Sequence, residues 1–550
     1  MVAHKMIVSG FHNMNKCFSK RVFALILCTI IPILSFAKTI NPRGYGIQRA
    51  KTGIERYEIL MKCHKDAVKK GYSISYRGIN QIELEIPRGA ESIPLPDETD
   101  FCGVKLYVKN NSQNMFLFTL GKEKSSINIE KSLLTAGQVI RPLIGMGTVM
   151  LSIEDKTPWV SERKGFNHAV YRKDILTIEN GVVCDNPIYS YTGEQSSPEA
   201  MAVSITPKRK SVQNISFYRE PESTHKVYLL AIDNLYNVEV RDVYIYTPDD
   251  QDKYGDEAIR VCNSVNVYLK DIKIEGTYSQ EKSYGYGVSI NNVRNLEVSN
   301  LTARAKWGVF YTSNICNVHL YDCDLNRFDL HCYGRDITYH NCKFTGRPLP
   351  YSSLYGTLEY DHCTITDGDA LNLRQDYNAN TPFDVIWKDC VFNMSPSANC
   401  IIRVGGLSED KNSRQELSKK CLPNITIQNC TVNLDPDLTR WFLIISGRID
   451  YKEPVDYLSS LKVDGLTVNG KKEVPFDISS GSFNTSALLT VEINNSKVNY
   501  NGKENAFKLK SATVGKNARI LVDDNDVKKN GPLSGVLIIS KIINKLQSYF

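Results

Sequence analysis

The residues best suited to chemistry recur at one position of a short repeat between residues 231 and 403. This position lies three residues before a recurring asparagine, which stands at 234, 263, 292 and 314. Because a strand alternates its side chains between two faces, the position is predicted to form one outward column. Its members in chain order are Ala231, Arg260, Ser289, Tyr311, His331, a member near Ser353 that the spacing does not assign, Arg374 or Asn372, and Arg403.

The centre of this column is predicted in the segment that follows Arg327, where the repeat has a shorter turn. Leu330 and Cys332 are expected to point inward, because they continue the apolar alternation. The neighbours then predicted to point outward are Asp329, His331 and Tyr333.

Each turn of the chain contributes one side chain to the column, here called a rung, and stacked strands place successive rungs about 4.8 Å apart. Successive sugars could lie across successive rungs, so the column predicts a groove for a polysaccharide. β-Elimination of a uronate needs a base for the C5 proton and positive charge to neutralise the carboxylate. His331 or Tyr311 is the predicted base or acid. The predicted neutralising groups are Arg260, Arg374 and Arg403. The predicted substrate-binding residues are Ser289, Asn372, Tyr333 and two aromatic residues at strand starts, Tyr286 and Trp307.

Two other functions are compatible with the same column. An inverting glycoside hydrolase needs two carboxylates about 6.5–9.5 Å apart, and Asp329 with Asp367 or Asp369 would supply them. A glycan-binding or structural protein would use the column only as a docking surface. No cofactor is predicted. The run Asp367-Gly-Asp369 favours a turn over a Ca²⁺ ligand pair, because calcium takes 6–8 oxygen ligands.

The elements that must position this column come from an internal repeat. Each unit has Asp, Asn or another polar residue, then an apolar residue or Cys, as in Arg241-Asp-Val-Tyr-Ile and Lys388-Asp-Cys-Val-Phe. The apolar position falls at 243, 272, 301, 323, 342, 363, 390, 430 and 466, so the shortest steps are near 20 residues. Three short strands per turn of that length, with insertions in the longer steps, predict an all-β parallel β-helix.

The repeat also predicts the state of five cysteines and the arrangement of the rest of the chain. The cysteines at 323, 342, 363, 390 and 430 share one position, which favours a stack of free, buried thiols over disulfides. An amphipathic helix is predicted over 51–71, followed by strands at 82–86, 104–108 and 115–119, which would cap the open end of the coil. The predicted regions are 38–224 for the cap and first coils, 225–500 for the core, and 501–550 for the last rungs and cap.

The repeated units between Asn234 and Val432, for example Asn292-Val-Arg-Asn-Leu-Glu-Val-Ser-Asn-Leu, resemble the pectin-lyase-like superfamily of right-handed parallel β-helix proteins. That superfamily includes secreted polysaccharide lyases, hydrolases, epimerases and phage tailspikes. The resemblance implies the fold and a carbohydrate partner, but not one reaction. The hydrolase pattern of Asp-Asp with Gly-His-Gly and the epimerase pattern Asp-Pro-His are both missing from this region.

The first 37 residues resemble a secretory signal peptide. Basic residues precede an apolar run that begins at Val22, and Ser35-Phe-Ala37 is typical of a cleavage site. The whole chain has a net charge of +7, and this segment holds four basic residues and no acidic ones, so the mature charge is +7 − 4 = +3. This modest charge argues against a nucleic-acid partner. We therefore predict an exported protein, periplasmic, at the cell surface or secreted, without a membrane span.

Overall fold

The structure is a computed structural model. It describes residues 38–156, 171–193, 196–247, 257–276, 286–303, 308–346, 348–352, 354–373, 383–398, 400–404, 407–408, 420–421, 423–446, 449–450, 455–456, 460–471, 474–475, 489–506, 509–510, 518–522 and 537–538. The predicted signal peptide lies outside these residues and stays a prediction. Within the described part, no helix is both long and apolar enough to cross a membrane.

The coil is built from strands that hydrogen-bond in parallel to the equivalent strand of the next turn, which confirms the predicted parallel β-helix. One late hairpin, Lys497–Tyr500 with Lys503–Ala506, is antiparallel. The strands of this sheet are Thr39–Ile40, Ser73–Ser75, Gln81–Ile86, Ile93–Pro94, Glu98–Asn110, Met115–Gly121, Lys210–Arg219, Val227–Asp233, Tyr236–Thr247, Glu257–Gly276, Tyr286–Ala303, Gly308–Tyr321, Asp324–Leu325, Phe328–His340, Lys343–Thr345, Pro350–Tyr351, Leu354–Asp361, Thr364–Thr366, Leu371–Leu373, Phe383–Lys388, Val391–Met394, Cys400–Val404, Asn424–Gln428, Thr431–Leu434, Phe442–Ser446, Ser460–Asp464, Thr467–Asn469, Leu489–Asn494, Lys497–Tyr500, Lys503–Ala506, Ala518–Val522 and Leu537–Ile538.

A helix at Gly53–Lys70 packs on the first turns of the coil, close to the predicted range 51–71. Thr52 and Glu55 form a reciprocal capping box at its start, and Gly71 ends it in the left-handed conformation. Its buried face includes Tyr57, Leu60 and His64. Short 3-10 helices lie at Pro42–Tyr45, Ile47–Arg49, Lys131–Leu133 and Arg141–Leu143.

The coil turns its corners at residues with positive φ, most of them Asn or Asp, which tolerate this conformation better than other non-glycine residues. The φ values of the non-glycine corner residues run from 44° at Tyr333 to 62° at Asn214. Successive amides hydrogen-bond along the coil, as from Asn317 Nδ2 to Asn295 Oδ1 at 2.8 Å. The first corner ladder is Asn234, Asn263, Asn292, Asn314 and Tyr333; the second is Asn237, Asn266, Asn295, Asn317 and Asp336. The third begins at Cys102 and continues as Asn214, Asp242, Asp271, Asn300, Asp322, Asn341, His362, Asp389, Asn429, Gly465 and Asn495.

The interior of the coil is apolar, and the predicted cysteine stack lies in it. Cys323, Cys342, Cys363, Cys390 and Cys430 are all free thiols and at most 1% exposed. They belong to the same core cluster as the inward residues of the earlier rungs. The prediction of a buried ladder of free cysteines is therefore confirmed.

A second sheet of five antiparallel strands, which the repeat did not predict, packs on the coil between the first and second corner ladders. Its strands are Ser125–Ile127, Thr148–Asp155, Arg172–Glu179, Val182–Val183 and Pro198–Ser204. Arg294 of the coil reaches into it and bonds to Asp174 at 3.2 Å and to the carbonyl of Ile175 at 2.8 Å. Short parallel pairs also join Leu407–Ser408 to Ile449–Asp450, Lys420–Cys421 to Val455–Asp456, and Val474–Pro475 to Leu509–Lys510.

Candidate functional site

The outward column exists, although two of its rungs are filled differently from the prediction. Arg260 pairs with Ser289, Ser289 with Tyr311, and Tyr311 with Asp329, so Asp329 rather than His331 follows Tyr311 in the column. The unassigned rung is filled by Pro350, because Leu330 pairs with Tyr351. Pro350 then pairs with Asn372, and Asn372 with Arg403.

His331 is an extra residue in its rung. Thr312 pairs with Leu330 and the next residue, Ser313, pairs with Cys332, so His331 forms a β-bulge between them. Leu330 points into the coil, as predicted. Cys332 instead packs in the apolar cluster under the five-stranded sheet, which corrects its expected inward position. The bulge places His331 beside the column rather than in it.

Asp329 is the centre of a cluster of polar side chains on this face. Its Oδ2 accepts hydrogen bonds from Arg327 Nη2 at 2.6 Å and from the Tyr286 hydroxyl at 2.9 Å. His331 Nε2 lies 3.1 Å from the same oxygen. The Asp329 side chain is 0% exposed, whereas those of Arg327 and His331 are each 12% exposed. The carboxylate is therefore covered by its partners, and His331 lies nearer the surface.

These contacts indicate which nitrogen of His331 carries the proton when the ring is neutral. Tyr286 has one hydroxyl proton, and it donates this proton to Asp329. The Tyr286 oxygen, 3.0 Å from His331 Nε2, must then accept from an Nε2–H. The lone pair of the neutral imidazole is therefore on Nδ1. Tyr311 packs edge-to-face against this imidazole, with ring centroids 4.4 Å apart.

Gly308 makes room for this cluster. It pairs with Tyr286 in the rung register. A Cβ at this position would lie 3.2 Å from Tyr286 Cε1 and 3.3 Å from Arg327 Cδ, closer than ordinary packing allows. The absent side chain lets Tyr286 reach across a rung to Asp329 and His331.

The two described arginines of the column flank the cluster at a distance. Arg260 and Arg403 are each three rungs from Asp329, or about 14 Å at 4.8 Å per rung. Arg260 is exposed, and its guanidinium lies 4.3 Å from the centroid of the Phe116 ring. Arg403 forms a salt bridge with Asp369, in which Nε lies 2.6 Å from Oδ2. At this distance neither arginine contacts a carboxylate bound at His331.

The other predicted binding residues differ in their access to solvent. Tyr286, Tyr311 and Asn372 are partly exposed on the face of the column, whereas Ser289 is only 3% exposed. Tyr333 points out of the coil but is 6% exposed and packs edge-to-face on Tyr189 at 4.5 Å. It is covered by the five-stranded sheet, which corrects its predicted role as a substrate contact. The two remaining predicted residues, Trp307 and Arg374, lie outside the described residues.

The chain bends at Asp367-Gly-Asp369, directly after the strand Thr364–Thr366. Asp367 has a φ of 58° and its N–H bonds to the carbonyl of Asn393. Asp369 is buried, with one oxygen bonded to Arg403 and the other 3.2 Å from Cys400 Sγ. These contacts favour the predicted turn over a calcium ligand pair.

The sequence reasoning missed Arg327 as a member of the site. Its signal was present, because residues two apart on a strand share a face, and Arg327, Asp329 and His331 are spaced in this way. The role of Gly308 depends on a contact between side chains from different rungs, so spacing along one strand does not predict it.

Several solved structures are similar to this chain. The tailspike protein gp49 from Pseudomonas phage LKA1 has 14% identity and a TM-score of 0.55, with 91% of this chain and 84% of that chain covered. The tailspike gp61 of Pseudomonas phage phi297 has 13% identity and a TM-score of 0.45 over 84% of this chain and 80% of its own. A family 28 exopolygalacturonase of Yersinia enterocolitica has 9% identity and a TM-score of 0.37 over 90% and 78%.

No family model and no curated protein sequence matches the chain. The similarity to the gp49 tailspike, whose TM-score is above 0.5, agrees with the predicted right-handed parallel β-helix fold. At this level of identity it concerns the fold, and function must be argued from the site.

Proposed function

We propose that the protein binds an anionic polysaccharide along the outward column and cleaves it by β-elimination, with His331 as the base. The observation that carries this proposal is the contact of Tyr286 and Asp329 with His331 Nε2. These contacts fix the ring and leave the lone pair on Nδ1, the arrangement that a general base requires.

In the proposed reaction, His331 Nδ1 takes the proton from C5 of a uronate. The electron pair of the C5–H bond forms the C4–C5 double bond, the C4–O4 bond breaks, and the leaving O4 takes up a proton. Asp329 stabilises the imidazolium that forms, because its carboxylate lies 3.1 Å from Nε2. Tyr311, on the adjoining rung against the imidazole, is our candidate for the donor to O4.

Arg260 has a separate role in this proposal. It is exposed and three rungs from the reacting centre, so it would bind the carboxylate of a sugar further along the chain. Loss of such a remote contact is expected to raise KM more than it lowers kcat.

Burial of the carboxylates weighs against the inverting-hydrolase alternative. Asp329 is 0% exposed and holds three partners on one oxygen. Asp369 is 4% exposed and bonded to Arg403. Hydrolysis would need Asp329 as one of the two carboxylates, with either Asp367 or Asp369 as the other, to protonate the leaving group or to activate water. Asp329 is engaged within the protein in either case.

The test is a panel of uronate polymers incubated with the full-length protein while ultraviolet absorbance and reducing ends are followed together. β-Elimination gives both signals, because each cleavage creates an unsaturated sugar. His331→Gln is expected to lower turnover by about 10²–10⁴-fold, the usual contribution of a general base. His319→Gln is the matched control, since His319 lies on another face and bonds to Asn317.

Two outcomes would contradict the proposal. Reducing ends without ultraviolet absorbance would show hydrolysis. Binding to a uronate polymer without either signal, unchanged in His331→Gln, would show a glycan-binding protein.

A further inference from the structure

A cluster of His340, Asp361 and His362 lies at the third corner of the coil, away from the column. His340 Nδ1 is 3.0 Å from Asp361 Oδ2, and His362 Nδ1 is 2.7 Å from Asp361 Oδ1. His340 ends the strand that begins at Phe328, and it pairs with Asp361 on the next rung. The cluster thus joins two successive rungs.

His362 departs from the rule that this corner otherwise follows. From Asn214 to Asn495, the other described rungs of the third corner ladder have Asp, Asn or Gly at this position. His362 has the same backbone conformation, with a φ of 54°. Asn and Asp are favoured there for conformational reasons, so the coil itself does not call for a histidine. A neighbouring imidazole, that of His340, adds a second nitrogen ligand beside the same carboxylate.

We propose that His340, Asp361 and His362 bind a zinc ion. The three ligand atoms lie within 4.8 Å of one another. A tetrahedral zinc ion at about 2.0–2.1 Å from each ligand holds them about 3.4 Å apart, so small side-chain rotations are enough to admit the ion. Two imidazoles and one carboxylate are ligands that zinc prefers, and water would fill the fourth position.

Both histidines are accessible to an ion from solvent. The ligand set favours a cation such as zinc, which binds nitrogen and oxygen, over a cation such as calcium, which prefers oxygen ligands. The side chains of His340 and His362 are 47% and 57% exposed, whereas Asp361 is 20% exposed. Calcium needs 6–8 oxygen ligands, and this cluster supplies one carboxylate.

The ammonium group of Lys388 competes with a bound cation for the carboxylate of Asp361. It pairs with Asp361 on the next rung, and its Nζ lies 3.9 Å from Asp361 Oδ1. Its ammonium repels a divalent ion at this distance, so zinc must displace it. Lys388→Gln is therefore expected to bind zinc more tightly than the wild-type protein, by about tenfold if the repulsion is near 1.4 kcal/mol.

The test is a zinc titration of the untagged full-length protein after dialysis against a chelator, followed by calorimetry. One zinc ion per chain and a higher melting temperature are expected, because an ion that binds only the folded coil stabilises it. His362→Asn restores the usual residue of the corner, so the fold should persist. Its zinc affinity is expected to fall more than about 100-fold. Loss of a residue that only hydrogen-bonds to a metal ligand lowers affinity by about 10–100-fold, so a larger fall indicates that His362 itself binds the ion.

Controls separate this site from other zinc ligands. Cys102 and Cys184 are exposed thiols, and the variant with serine at both positions is expected to bind zinc as the wild type does. Cobalt in place of zinc should give the visible absorption of a tetrahedral nitrogen and oxygen site without thiolate charge-transfer bands. No uptake of zinc by the wild type, or equal uptake by His362→Asn, would overturn the proposal.

Discussion

Two neighbouring stretches of the coil differ in how closely they follow the repeat. From Tyr236 to Ser313 the rungs pair residue for residue, with Asn at the first two corners. The next rung, Phe328 to Arg335, has an extra residue at His331 and Tyr333 where the first corner otherwise has Asn. The polar cluster around Asp329 lies in this second stretch.

The difference shows what each stretch contributes. Regular rungs supply a stiff face in which every side chain has a fixed neighbour about 4.8 Å away. The irregular rung uses that stiffness to hold a bulge, which turns His331 out beside Asp329. Tyr333 anchors the far side of the bulge by packing on Tyr189. The proposed catalytic residues thus lie on the first rung after the regular stretch, where the repeat is broken.

The largest expected effect comes from removing the anion at the centre of the irregular rung. Asp329→Asn leaves Arg327 and its partners without a negative charge in a buried setting, and breaking one side of a buried ion pair costs about 3–5 kcal/mol of unfolding free energy. Urea denaturation measures this loss. Asp437→Asn, at an exposed position, is the control and should stay within about 0.5 kcal/mol. Equal stability of the two variants would contradict the central role of Asp329.

Deletion of His331 tests whether the bulge is an insertion into an otherwise regular rung. Without it, Leu330 and Cys332 become consecutive and match Thr312 and Ser313. The fold is expected to persist, with loss of turnover of about 10²-fold or more because the base is gone. Circular dichroism, a melting curve and the ultraviolet assay measure the three quantities.

The control deletion is Asn291, which pairs with Ser313 in a rung that has no bulge. Its removal shifts half of the strand by one residue and turns inward side chains outward, so this variant is expected to unfold. If both deletions unfold the protein, the bulge is part of the required register, and the contrast between the two stretches fails.

A smaller effect is expected at Gly308, where the side chains of two rungs meet. Gly308→Ala places a methyl group 3.2 Å from Tyr286 and 3.3 Å from Arg327, so Tyr286 must move away from Asp329. Turnover is expected to fall about tenfold, with less than about 3 kcal/mol lost in stability. Gly287→Ala makes an equally close contact, with Ile274 inside the coil at 3.2 Å, and should leave turnover unchanged. Equal turnover in both variants would remove Tyr286 from the mechanism.

The regular rungs could be predicted from the sequence because each copy of the repeat has polar and apolar residues at the same positions. Val243, Ile272 and Leu301 share one position of the repeat, and the structure pairs them directly. The cysteine stack followed from the same alignment. The five-stranded sheet could not be found in this way, because Thr148–Asp155 and its partners are not copies of anything else in the chain.

The site was predicted only in part, for a related reason. Alternation along the strand placed Asp329 and His331 outside the coil, and both are there. Alternation does not count an inserted residue, so His331 was assigned to the rung position that Asp329 holds. The burial of Tyr333 under the added sheet depends on a contact with Tyr189, far away in sequence, and no spacing rule contains that information.

The smallest effect is expected inside the regular part of the coil. Cys363 Sγ lies 3.4 Å from the carbonyl oxygens of both Tyr339 and Asp361, so its single S–H can donate to one of them, and thiols are weak donors. Earlier rungs have Val243 or Ile272 at this position, and both are buried. Cys363→Val should therefore lose about 1 kcal/mol or less of unfolding free energy and leave turnover unchanged, as measured by urea denaturation and the ultraviolet assay. A loss as large as that of Asp329→Asn would mean that the thiol stack, and not only the apolar interior, holds the rungs in register.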